Sequence, residues 1–198
     1  MKENTTILIV EDELITAAAI EELLLEEDYQ IIGVAADGTT ALELCRQAAE
    51  PPALILCDIN IKGSMDGITL AGQLKQQYQS EIIFLTAYTD TKTLEAAFVQ
   101  EPVMYVVKPY NDRQLLAAVQ MAFHKIYQKE KSAPSVKLTL TTREKQIATL
   151  VAQGLSSKQI AQQLYISEET VKTHRRRMMQ KNDISSFSQL TYLLSREG

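Results

Sequence analysis

The chain has 198 residues, 45% of them hydrophobic, and 25 Asp+Glu against 20 Lys+Arg give a net charge of −5. That length suits one large domain or two small ones. No apolar stretch approaches the ~18 residues of a membrane span, and the run Ile7–Val10 leads into acids, so neither membrane insertion nor an export signal is expected.

In chain order, strand-like runs alternate with helical patterns. Ile7-Leu8-Ile9-Val10 stops at Glu11-Asp12, and Leu14, Ala17, Ala18, Ile20, Leu24 and Leu25 then recur at helical spacing. A second strand is predicted over Gln30–Val34, a turn at Asp37-Gly38 and a helix over about Thr40–Ala49, broken by Pro51-Pro52. The third run, Ala53–Cys57, stops at Asp58, and Asp66-Gly67 opens a helix to about Tyr78. Ile82–Leu85 stops at Thr86, with a helix expected over about Asp90–Gln100. Tyr105-Val106-Val107 stops at Lys108-Pro109, and Asp112 to about Gln128 makes the last helix. Short runs of Ile, Val and Leu read as strands buried on both faces. Five strands alternating with five helices predict an α/β fold with a doubly wound parallel sheet. Cys45 and Cys57 are too few for a disulfide framework and lack metal-ligand spacing, so both are expected as buried thiols in a reducing cytoplasm.

In open parallel sheets ligands bind outside the carboxyl ends of the strands. Asp12 and Asp58 end different strands and so meet on one rim. Two carboxylates a few ångström apart repel unless a cation sits between them. A hard ion such as Mg2+, or Mn2+ in its place, suits such oxygen ligands. One carboxylate oxygen of Asp58 can then attack phosphorus in line and form an acyl phosphate. Lys108 would neutralise the transferred charge, and Thr86 would donate its hydroxyl to a phosphate oxygen.

The remainder of the chain has a different character. Residues 1–128 hold 8 Lys+Arg against 19 Asp+Glu, a net of −11, while residues 129–198 hold 12 against 6, a net of +6. An acidic module joined to one that meets a polyanion is the reading this favours, although two differently solvated surfaces give the same contrast. Residues 129–137 have no apolar period and read as a linker. Thr141 with Glu144, and Ser156 with Gln159, form capping boxes, Gly154 ends the first helix of this half, and Ser167 and Ser185 read as caps of the third and fourth. Only Tyr165-Ile166 separates the second helix from Ser167. Helix, tight turn, helix is the arrangement that places its second helix in the major groove. On that helix Val171, His174 and Met178 are expected inward, and Lys172, Thr173, Arg175, Arg176 and Gln180 outward, facing phosphates and base edges.

Residues 5–126 resemble the receiver domain of two-component response regulators. The resemblance is carried by Val10-Glu11-Asp12-Glu13, Cys57-Asp58-Ile59-Asn60, Met65-Asp66-Gly67, Leu85-Thr86-Ala87 and Tyr105–Tyr110. It implies a flavodoxin-like fold in which Asp58 accepts a phosphoryl group from a sensor histidine kinase or a phosphotransfer protein. It implies metal binding by Asp12, Asp58 and the backbone carbonyl of Asn60, with Glu11 acting through water. It further implies that Thr86 moves toward the phosphate while Tyr105 turns inward, and that Lys108-Pro109 is cis. One departure is visible: Ile61–Met65 is one residue longer than the common version and has Lys62 where Pro is frequent.

Residues 138–196 resemble the LuxR-type helix-turn-helix through Leu140–Glu144, Gly154–Ala161, Leu164, Ile166-Ser167 and Thr170–His174. This implies a small all-α, four-helix DNA-binding domain. Lys172, Thr173, Arg175 and Arg176 would touch bases or phosphates, Lys158 a phosphate, and the final helix would be the dimerisation surface. Asn182 stands where that family prefers Leu. The expected organisation is therefore a receiver over 1–128, a linker over 129–137 and a DNA-binding domain over 138–198. The expected protein is a cytoplasmic, homodimeric transcriptional regulator acting on double-stranded promoter DNA, not an enzyme and not bound to a membrane. Two other readings stay open: control without phosphate, by dimerisation or a partner, and an RNA-binding antiterminator. The intact acidic set argues against the first and the helix-turn-helix against the second.

Overall fold

The computed structural model describes residues 5–87, 91–129, 138–184 and 186–196. Its strands are β1 (Thr6–Val10), β2 (Gln30–Ala35), β3 (Leu54–Asp58), β4 (Glu81–Thr86) and β5 (Met104–Val107). Interleaved with them are α1 (Leu14–Glu26), α2 (Gly38–Gln47), α3 (Gly67–Tyr78), α4 (Thr91–Phe98) and α5 (Asp112–Lys129). Then follow α6 (Thr142–Ala152), α7 (Ser157–Leu164), α8 (Glu168–Asn182) and α9 (Phe187–Arg196). Asp90, the linker residues after Lys129, and Ser185 lie outside the described residues. The rest forms two compact units, within Asn4–Tyr110 and within Asn111–Gly198.

The first unit is a parallel sheet in the order β2-β1-β3-β4-β5. Its strands are runs of branched aliphatic residues, and β3 and β4 are buried along their whole length. Strand side chains alternate between faces. Leu8, Val10, Ile55, Cys57, Ile82 and Phe84 join Ala41 and Cys45 of α2, Leu70, Ala71 and Leu74 of α3, and Ala97 of α4 in one core. Ile7, Ile9, Leu54, Leu56, Ile83 and Leu85, of the opposite parity, are equally inaccessible. Each such side chain contributes roughly 1.5–3 kcal/mol by leaving water. Register decides what meets at the rim. Val10 pairs with Cys57, Asp58 with Leu85, and Thr86 with Val107. Glu11, Asp58, Thr86 and Lys108 therefore stand at, or one residue past, the ends of four neighbouring strands.

The second unit is all-helical. Both capping boxes form: Thr141 and Glu144 exchange hydrogen bonds, as do Ser156 and Gln159. Ser167 caps α8 through the Thr170 amide at 3.1 Å. Tyr165 ends α7 in the left-handed region (φ 54°). Gly154 is required twice over, because its φ is +81° and a Cβ there would sit 2.7 Å from the Arg113 carbonyl of α5. α5 lies along α9: Tyr127 Oη and Ser186 Oγ are 2.8 Å apart, His124 Nε2 and Ser195 Oγ 3.1 Å, and the Tyr127 and Tyr192 rings 5.6 Å. Asn182 ties the chain before α6 by accepting the Thr139 amide proton at 2.8 Å.

Candidate functional site

Lys108 Nζ donates to Glu11 Oε2 and to Asp58 Oδ2, both at 2.6 Å. The three groups come from the ends of β1, β3 and β5. Glu11 is only 1% exposed and Asp58 7%. Burial pushes the Glu11 carboxyl above its usual pKa, and the Lys108 contacts offset this only in part. Burial also opposes the Lys108 charge, but the two carboxylates more than reverse that and hold its pKa above the usual lysine value. Asp58 Oδ1 accepts the Asn60 amide proton at 2.9 Å, which fixes the carboxylate plane.

Asp12 lies beside this group. Ligand oxygens of Glu11, Asp12 and Asp58 all fall within 4.8 Å of one another. The donors are carboxylates only, the set that a hard divalent cation prefers. Lys62 reaches the same place, 3.5 Å from Asp12 Oδ2 and 3.2 Å from the Asp12 carbonyl.

Thr86 is fully buried at the end of β4, and its carbonyl accepts the Lys108 amide proton at 2.8 Å. Tyr105 packs against Phe84 (5.8 Å between centroids) and Phe98 (5.1 Å). Its buried hydroxyl has no hydrogen-bond partner. The Lys108-Pro109 bond is cis. Asp66 caps α3 through the Thr69 amide at 2.7 Å. A Cβ on Gly67 would overlap the Asp58 carbonyl, so this glycine lets α3 start directly beneath the acid.

On α8, Lys172 and Thr173 are half-buried and Arg176 is exposed, as is Lys158 on α7. Lys172 pairs with Glu168 one turn earlier at 2.8 Å. Arg175 corrects the expectation of an outward, DNA-facing side chain. It is 1% exposed, donates to Ser157 Oγ at 2.8 Å and lies 4.7 Å over the Phe187 ring. The inward stripe is Val171, Arg175 and Met178, spaced i, i+4, i+7, and His174 is half-exposed at its edge. A hydroxyl and an aromatic face from two other helices make burial of this cation tolerable. Two further basic residues border these sites. Arg177 is exposed beside Arg176, and its position one turn after Thr173 is the signal that marks it. Lys62 was visible only as a departure in the loop.

The chain thus carries an acidic rim on a parallel sheet and, in its second unit, a helix-turn-helix. The family model for the response regulator receiver domain matches residues 7–120, and that for bacterial regulatory proteins of the luxR family matches residues 138–194. The chain belongs to the response regulators with a LuxR-type DNA-binding domain, a family of regulators rather than enzymes. It is 28% identical over 202 residues to the nitrate/nitrite response regulator protein NarL of Escherichia coli K12, covering 93% of this chain and 92% of the relative. It is 30% identical over 179 residues to the transcriptional regulatory protein YhcZ of Bacillus subtilis, covering 83% and 82%. The signal receiver domain of a modulated diguanylate cyclase from Desulfovibrio desulfuricans G20 superposes with a TM-score of 0.59 at 30% identity, covering 64% of this chain and 99% of that one. Receiver domains generally bind Mg2+ at an acidic site, and the Glu11, Asp12 and Asp58 cluster is of that kind. No helix among the described residues is long and apolar enough to cross a membrane.

Proposed function

We propose that Asp58 accepts a phosphoryl group from the phosphohistidine of a sensor kinase or phosphotransfer protein, and that this controls transcription from promoter DNA. One observation carries the reading: Lys108 touches Asp58 and Glu11 at once, 2.6 Å from each, at the ends of three strands. An Asp58 oxygen forms the new bond to phosphorus as the bond to the imidazole nitrogen breaks, and the imidazole leaves neutral once protonated. Lys108 holds the attacking carboxylate and then balances the added charge of roughly −1.5 to −2. Thr86 donates its hydroxyl to a phosphoryl oxygen, and Tyr105, already turned inward, packs behind it. Glu11, Asp12, Asp58 and the Asn60 carbonyl would hold Mg2+ or Mn2+. That ion would supply charge neutralisation for the clustered acids and the incoming group.

The altered rim would bias the surface of β4, α4 and β5 and so favour a homodimer reading an inverted repeat. Lys158, Lys172, Thr173 and Arg176 are the proposed DNA contacts. The proposed division is a receiver over 1–128, a linker over 129–137 and an output domain over 138–198, supported by family matches that end at 120 and resume at 138. A cytoplasmic location fits this role. Incubation with a small phosphodonor and Mg2+ tests the centre of the proposal. The wild-type chain should gain about 80 Da, the mass of one phosphoryl group, and Asp58→Ala should gain nothing. No uptake by the wild type refutes it.

A further inference from the structure

We infer that Lys62 is a built-in competitor for the divalent cation, an ammonium that holds Asp12 until the ion displaces it. The inference rests on the reading of Glu11, Asp12 and Asp58 as a metal site. Lys62 Nζ engages Asp12 twice, at the carboxylate (3.5 Å to Oδ2) and at the backbone carbonyl (3.2 Å). Together with Lys108 on Glu11 and Asp58, this gives every acid of the cluster a lysine partner. Two ammoniums against three carboxylates leave one negative charge, and a cation drawn to Asp12 meets Lys62 there.

The two lysines are not equal in that exchange. The Lys108 side chain is 19% exposed and bridges two buried carboxylates. The Lys62 side chain is 73% exposed and returns to water at little cost. The loop after Asn60 is shaped to present it. The Lys62 backbone forms an isolated parallel bridge with Asp37, at the start of α2. Gly63 follows at φ +108°, a conformation that L side chains rarely adopt. The bridge and the glycine turn fix the stem from which the side chain crosses to the end of β1.

An ammonium and a divalent ion held at the same Asp12 carboxylate repel each other at a few ångström. Because the pair is exposed, the effect is modest and screened by salt. Calorimetric titration of the full chain with MgCl2 reads it without any phosphoryl transfer. At low salt Lys62→Ala should bind Mg2+ about threefold more tightly than the wild type. The gap should shrink at high salt, and Lys62→Arg should stay near the wild type. Equal or weaker Mg2+ binding by Lys62→Ala at low salt overturns the competition while leaving the metal site intact, provided Asp12→Asn weakens binding. Silence from both the wild type and Lys62→Ala rejects the metal site itself, and the competition with it. Binding by Lys62→Ala alone supports the competition in its strongest form.

Discussion

Glu11 is a carboxylate kept almost wholly from water, and this makes stability at the site depend on pH. An unfolded glutamate titrates near 4.5, and burial raises the native value. Between the two values the native state binds more protons, so this contribution is complete below 4.5 and is lost as pH rises through the native pKa. Glu11→Gln should therefore melt above the wild type at pH 7, with the gap closing as pH falls toward about 4; equal melting curves at pH 7 would contradict this. At this scale the sequence was informative where topology does the work. Glu11, Asp58, Thr86 and Lys108 were legible because each follows an apolar run, and a parallel sheet brings such ends together. Arg175 was not legible. Its inward turn depends on Ser157 and Phe187, and helical periodicity carries no information about partners on other helices.

The helices of the second unit were read from their first residues, since a cap and its reciprocal partner lie three positions apart in sequence. Their ends were less legible. Gln79, Tyr165 and Asp183 adopt positive φ at helix ends where Gly or Asn would be expected. Arg175 and Arg176, the first two of three consecutive arginines on α8, give a test of its orientation. Arg176→Ala should weaken binding to any duplex DNA and reduce the slope of log affinity against log salt by about one, with the fold intact. Arg175→Ala should instead cost about 2 kcal/mol in urea unfolding, from the lost hydrogen bond and ring contact, with the salt slope unchanged. If the two variants exchange these phenotypes, the inward stripe of α8 is misassigned.

For the whole molecule, the charge contrast between the two halves was visible in composition alone. The packing of α5 on α9 was not, because an apolar period announces a buried face without naming its partner. That packing predicts the behaviour of fragments. A fragment over 111–198 should melt above one over 138–198, because α9 loses Gln120, His124 and Tyr127 when α5 is removed. Matching melting temperatures would mean that α5 gives α9 no support.

The two cysteines add a practical property. Cys45 and Cys57 are the chain's full complement of thiols, both sit in the sheet unit, and they are 4% and 0% exposed. Burial pushes the Cys45 thiol up to about 11 and the Cys57 thiol higher still, so neither presents a thiolate near neutral pH. Alkylation must then wait for local or global opening of the sheet. The rate of thiol labelling measures how often this unit opens, while the helical unit, which has no cysteine, contributes no signal. The intact protein thus carries its own reporter of opening in the sheet unit alone.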